Sequence, residues 1–242
     1  MANKETVTRK EPGIRFYRTV SITQAEKGFG IALDRLPVKT PGQAILLMAS
    51  RSLAEAIAAE WETQQDIINP TSMPLSRLLN TSIDRTTPNR TETISSLLHF
   101  IDTDTLCYRA DSPQALVDRQ LLVWQPVLDW LSASHSIKLQ VAVGVMHHGQ
   151  SSETFSTIEK LLSAYDDITL TAVQAITSLT SSLVLSVAMA DQFLSGREVA
   201  IAAQLEENWQ IEQWGEDSES LKRREELNRA ILAIERFISL TR

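Results

Sequence analysis

Twenty-three consecutive residues without a formal charge, Ile168 to Ala190, constrain this chain more than any other stretch. A run of that length can cross a bilayer or lie inside a protein, and its make-up decides between the two. Nine of the twenty-three are Thr, Ser or Gln, two acids (Asp166 and Asp167) precede the run, and no cationic flank adjoins it. Those features describe a helix enclosed by protein on most sides, with no membrane insertion. The apolar character continues to Leu194, and a bend is expected where Ser181 and Ser182 adjoin. Such an element is a core in search of walls, so the rest of the chain must supply apolar faces to cover it.

The N-terminal part supplies them with period two. Phe16, Arg18, Val20 and Ile22 occupy alternate positions, and Gly28 to Leu33 follows a polar turn, which predicts a hairpin. Val38–Thr40 and Ala44–Met48 predict two further short strands around the turn dipeptide Pro41-Gly42. Ser50 to Gln64 then reads as a helix capped by Ser50 or Ser52, with Leu53, Ile57 and Trp61 on the face that would cover the sheet. The predicted class is α+β: a small N-terminal α/β domain, antiparallel sheet plus helix, followed by a larger mostly α-helical domain. The expected organisation is a flexible tail over 1–13, the small domain over 14–85 and the helical domain over 86–242, with Asn69-Pro70 and Met73-Pro74 punctuating the approach to the boundary.

In the second part, Thr91–Asp104 (Ile94, Leu97, Leu98, Ile101), Pro113–Leu131 (Leu116, Leu121, Trp124, Leu128, Leu131) and Ser152–Ala164 (Phe155, Ile158, Leu161, Leu162) have helical spacing. Ile137 to Val143 alternates instead and predicts a strand. At the C-terminus, Leu227, Ile231, Ile234 and Ile238 make one apolar stripe on a segment rich in Arg and Glu, which docks on its own protein or is displaced by a partner.

Leu205 to Asp217 packs two tryptophans and five carboxylates into thirteen residues and carries Gly215 near its end, so it reads as the end of a helix starting near Glu198. Ile201, Leu205 and Trp209 fall on one face of that helix, with Glu212 in the same stripe, while Ile211 and Trp214 point away with Glu207. Trp209 is therefore expected inside; Trp214 is divided evenly between core and surface. A carboxylate on a tryptophan-bearing face is either satisfied within the fold or kept for something outside it.

Chemistry that the sequence disfavours narrows the field. No phosphate-cradling glycine loop or nucleophile elbow is present, and a net charge of −7 opposes nucleic-acid binding. Cys107 is the lone cysteine, so neither an intramolecular disulfide nor a structural zinc site is expected, and no cofactor or metal is predicted. Asp102 and Asp104, at i and i+2, fit capping of the next turn better than an acid–base pair. His147 and His148 read as solvated loop residues. Met1 to Pro12 lacks a secretory h-region and carries Glu5 and Glu11, so the simplest address is the bacterial cytoplasm. An uncharacterised hydrolase-like enzyme using Cys107 or His99 is the alternative.

Leu205, Glu206, Glu207, Trp209, Gln210, Ile211, Glu212, Trp214 and Gly215 resemble the hallmark of the ATP-twelve family of assembly chaperones for the α subunit of the F-type ATP synthase. Met73, Pro74, Leu75, Arg77, Leu78, Asn80 and Asp84 resemble a second signature of that family, and Asp102 to Arg109 a third. The resemblance extends from about Phe16 to about Asp217, among proteins of mitochondria, where the address is the matrix, and of the related alphaproteobacteria. It implies a monomeric, non-enzymatic chaperone that covers the apolar interface of the free α subunit until β arrives. Glu206, Glu207, Gln210, Glu212 and Trp214 are the candidate partner contacts. Two departures stand out: relatives carry Gly in the turn before Pro37 and Gly beside the serine at the Ser181-Ser182 bend. Arg35 in the first weighs against a tight turn there, since Arg tolerates φ > 0 poorly.

Overall fold

The computed structural model describes residues 13–26, 28–144, 149–215 and 217–242. Two expectations, the tail up to Pro12 and the His147-His148 pair, lie outside the described residues. A small antiparallel sheet near the N-terminus leads into a mostly helical body, as the sequence predicts.

Strands β1 (Val20–Ala25) and β2 (Gly28–Leu33) form the hairpin, with Val20 opposite Leu33 and Ala25 opposite Gly28. Pairing begins later than the alternation suggests. Ile14 and Phe16 lie exposed, and Tyr17 turns inward instead, its hydroxyl donating to the Trp61 carbonyl at 2.7 Å. The expected third and fourth strands shrink to β3 (Leu36–Pro37) and β4 (Leu47–Met48), both antiparallel to β2, joined by a Lys39–Ile45 bridge around the Pro41-Gly42 turn. The turn before β3 is tight after all. Asp34 and Arg35 have φ of 47° and 75°, and the Asp34 carboxylate holds that geometry by accepting from the Arg18 and Thr19 amides and the Thr19 hydroxyl. A side chain that satisfies its own turn offsets the steric cost that glycine would avoid.

Helix α1 (Arg51–Glu62) starts at Ser50, whose hydroxyl accepts from the Leu53 amide, and covers β1 and β2 with Leu53 and Ile57. Helix α2 (Pro74–Thr81) runs on through a π turn, Ser82–Thr86. Asp84 in that turn accepts from the Thr40 hydroxyl at 2.6 Å and the Gly42 amide at 2.7 Å, tying the sheet's turn to the helices. A Cβ on Gly42 would lie 2.6 Å from the carboxylate, so only glycine permits the approach.

Helix α3 (Arg90–Leu98) is followed by Ile101 packed in the core, then by a short 3₁₀ turn and β5 (Tyr108–Arg109). Helix α4 (Gln114–His135) buries Gln120, Trp124, Val127, Leu128 and Leu131, whereas Leu121, expected inside, is exposed. Gln120 can replace it because both ends of its amide are bonded: the oxygen accepts from the Ala110 amide and the nitrogen donates to Glu206.

The predicted strand over Ile137–Val143 is reduced to β6 (Ala142–Val143), parallel to β5. A strand needs a neighbour along its whole length, and here the Gln150 side chain stands in for one, donating to the Gln140 carbonyl and accepting from its amide.

Helices α5 (Ser152–Ala164), α6 (Asp167–Thr180) and α7 (Leu183–Ala190) follow, with Ser151, Asp166 and Ser182 as side-chain caps. The uncharged run thus becomes α6 and α7. It breaks rather than bends, because Ser181 sits at φ 53°, a conformation that explains a glycine's place there. Every residue of α7 is buried. Asp104 fixes its start: wholly buried, it caps the 3₁₀ turn through the Leu106 amide and reaches across to the Ser182 hydroxyl at 2.8 Å and the Val184 amide at 3.0 Å. Burial, only partly offset by those donors, holds its carboxyl up at about 6.

Helices α8 (Gly196–Ala203) and α9 (Leu205–Trp214) replace the single helix expected from Glu198. Gln204 leaves helical geometry at the junction (φ −101°, ψ 15°), where its buried amide donates to Ala200 and Asn228. The break rotates one half against the other, so Leu205 is enclosed while Ile201 is 50% exposed. Last, α10 (Ser218–Ser239) docks Ile231, Ile234 and Ile238, with Phe237 beside them, against α6, α8 and α2. No described helix is long and apolar enough to cross a membrane.

Candidate partner-binding surface

Leu205 is the only residue of α9 that is buried, so apolar packing does little to hold this helix in place. Polar pairs hold it from both sides. Toward α4, the Arg119 guanidinium grips the Glu212 carboxylate with two bonds of 2.8 Å, and the Gln120 amide donates to Glu206 at 2.6 Å. Toward α10, Arg223 pairs with Glu207, and Arg224 donates to Asn208. The bidentate contact is the strongest geometry an Arg–carboxylate pair can adopt. It holds the Glu212 carboxyl below its ordinary value and raises Arg119, as expected for mutual stabilisation of both charged forms.

Trp209 is half-buried rather than inside. The Arg119 guanidinium carbon lies 5.0 Å from the ring centroid, so one cation serves both the indole face and the Glu212 carboxylate. Trp214 is 79% exposed. Helix α9 ends directly after it, at Gly215 with φ 87°, where the chain turns away toward α10. Gln210 is exposed, as are Glu206 and Glu212, while Glu207 is half-buried beneath Arg223. The candidate residues therefore share one short helix and leave an accessible ledge: an uncovered Trp214 indole with exposed Gln210 one turn back on its own face, while Glu206, Glu207 and Glu212 are bonded toward α4 and α10.

Sequence reasoning missed the α4 half of this surface. Arg119 and Gln120 are 93 and 86 positions away from the carboxylates they bind, and no local pattern marks so distant a partner. Leu122, one turn beyond Arg119 on the same helix, is 77% exposed, and adjacent Leu121 is also exposed.

The alternative enzymatic centre has little to work with. Cys107 is buried, and burial together with nearby Asp104 pushes its thiol up to about 12, so no useful fraction is thiolate near neutral pH. His99 lies exposed with its Nδ1 against the Ser95 carbonyl, one turn back in its own helix. Asp102 accepts from the Gln150 amide and Asp104 is committed to capping. Among the described residues no cluster of three or more His, Cys, Asp or Glu side chains is arranged to hold a metal ion.

Comparison with known proteins converges on one family. The model described as ATP12 chaperone protein matches residues 14–132. The chain is 24% identical over 232 residues to the mitochondrial protein atp12 of Schizosaccharomyces pombe, spanning 88% of this chain and 80% of that protein. The crystal structure of Atp12 from Paracoccus denitrificans superposes with a TM-score of 0.89 at 32% identity, over 95% of this chain and 98% of that one. The Atu1473 protein of Agrobacterium tumefaciens superposes with a TM-score of 0.85 at 39% identity, over 92% and 85%.

Proposed function

The chain belongs to the ATP12 chaperone family, and from that premise we propose that it serves assembly of the F-type ATP synthase by binding the free α subunit. The ledge on α9 is the contact surface, with Trp214 as its anchor and Glu206, Glu207, Gln210 and Glu212 as polar contacts along the same helix. In the catalytic head α and β alternate, so an unpartnered α carries apolar surface that aggregates unless covered. A chaperone that covers it must bind well enough to exclude other orphans and let go when β competes. A monomer acting in the bacterial cytoplasm, without cofactor or nucleotide turnover, meets that need.

One observation carries this reading: the large indole of Trp214 stays 79% exposed at the end of a helix whose carboxylates are already held by neighbouring helices. Aromatic side chains flanked by polar groups are the usual hot spots of protein interfaces, each worth about 2 kcal/mol or more on truncation. The carboxylates are pre-positioned by Arg119, Gln120 and Arg223, so little side-chain freedom is lost when a partner arrives.

The experiment is co-purification with α and suppression of its aggregation by purified protein. Trp214→Ala and Gln210→Lys are the informative changes, because neither removes one of the pairs that hold α9. Loss of roughly 30-fold in affinity with Trp214→Ala, with folding intact, is the expected result. Undiminished protection of α by both variants would remove the ledge from the account.

A further inference from the structure

Helices α2, α6 and α10 enclose a groove of about 760 Å³ that α9 does not touch. One wall is a single face of α2 and its π continuation, presenting Arg77, Leu78, Thr81 and Arg85. The floor is shallow because α6 and α10 meet there through Ala175, Ala230 and Ala233. Leu179 stands partly exposed on the rim. No Asp or Glu lines it among the described residues, although the chain as a whole carries a charge of −7. Arg77 and Arg85 are both exposed, and neither guanidinium has a hydrogen bond or ion pair among the described residues. Arg90, Arg119 and Arg223, by contrast, each hold a carboxylate.

The groove does not end at Leu179. Ser178, Leu179 and Ala230 also line a second groove, of about 740 Å³, which continues between α6 and α10 to Glu207 and Arg223 beside the ledge. The two form one trough.

We propose that this trough seats an amphipathic helix of the client polypeptide, with carboxylates facing Arg77 and Arg85 and apolar side chains on the alanine floor. The reading rests on the proposed function and extends it, since the client would touch the ledge with one part and the trough with another. Three features favour a helical, acidic occupant. Small residues on the floor let a helix backbone approach closely, and a helix in a groove buries anchors at every third or fourth position. The two arginines are eight residues apart, roughly 12 Å along the wall at about 1.5 Å per residue, which matches carboxylates about two turns apart on the occupant. No acid lines the first groove beside Arg77 and Arg85, so an acidic flank there meets attraction and a basic one meets two uncompensated cations; Glu207 and Glu226 line only the second groove.

The test uses the full chain and a fluorescein-labelled eighteen-residue amphipathic peptide with leucines on one face and glutamates eight positions apart, read by fluorescence anisotropy. A control peptide has lysines in place of the glutamates. The glutamate peptide is expected to bind at least tenfold more tightly than the control. Arg77→Glu/Arg85→Glu is expected to remove that preference, Ala233→Trp to block binding by filling the floor, and Trp214→Ala to leave it unchanged. Equal binding of the two peptides, or unchanged affinity in the double arginine variant, would overturn the proposal, and so would a wild-type dimer in sedimentation that Ala233→Trp dissociates. The arginine changes touch no described partner, so the variant folds and the test stays decisive even if Ala233→Trp does not. In the α aggregation assay the two readings separate: protection unaffected by the arginine pair removes the trough alone, while the ledge stands or falls with Trp214→Ala.

Discussion

Helices α7 and α9 differ by two residues in length and by almost everything else. All eight residues of α7 are enclosed, and the polar contacts at its start, the capping by Asp104 and Ser182 and the Ser186 hydroxyl bonded to Thr177, are enclosed as well. Helix α9 encloses Leu205 alone and is held by guanidinium and amide contacts at its flanks. The first is fixed by removal of apolar surface from water, which no partner can compete for without unfolding the protein. The second is fixed by contacts that water and salt already weaken, so its outer face can meet a partner at little cost. The same chain thus separates what keeps it folded from what it presents.

The largest effect that could break this contrast is a cavity in α7. Leu185→Ala should lose about 2–5 kcal/mol of stability in urea titration. A loss below about 1 kcal/mol would mean that α7 is not the core element described.

The next largest is electrostatic. The Asp104 carboxyl has its folded value raised from 3.8 to about 6, so the native state holds that proton more tightly than the unfolded chain does. Its contribution is therefore fully present below pH 3.8 and is lost as pH rises through about 6, a swing on the order of 3 kcal/mol. Asp104→Asn should flatten the stability profile between pH 4 and 6, whatever its offset; an unchanged slope would place the buried charge elsewhere.

Helix α9 should respond to pH in the opposite sense. Glu212 is held below its ordinary 4.5 by Arg119, so the pair's contribution is present above that value and lost as pH falls through the lowered one. Protection of the α9 amides against hydrogen exchange, corrected for the intrinsic pH dependence of the exchange rate, should fall a few-fold in Arg119→Ala and on acidification, while α7 stays protected. Equal quickening in both helices would show that they open as one unit.

The smallest expected effect sharpens the contrast most. Trp214→Ala should shift stability by no more than about 0.5 kcal/mol, as befits an exposed side chain, while weakening the partner contact. A substantial loss of stability would mean that the indole is part of the fold.

Much of this was written locally in the chain. The caps at Ser50, Ser151, Asp166 and Asp217, the left-handed stop at Gly215, the break at Ser181-Ser182 and the stripe from Leu227 to Ile238 depend on residues within a turn or two of one another. Where expectation failed, the deciding partner was distant. Ile137–Val143 alternates as a strand should, but Gln150 occupied the place of a neighbouring strand. Trp209 has the spacing of a core residue, but the break at Gln204 and the cation of Arg119 set it at the edge.

Sequence alone determined that helices start at Ser50, Ser151 and Asp166, that the segment after Leu205 ends at Gly215, and that the long uncharged run must lie inside, because backbone hydrogen bonding and side-chain periodicity act over a few residues. Only the tertiary structure decided that Gln120 goes in while Leu121 stays out, that Asp104 spans two helix starts, and that the acids of α9 find their bases on α4 and α10. Those outcomes depend on which surfaces meet. A side chain's burial and charge state are properties of the packed whole, fixed by neighbours that the linear order does not bring together.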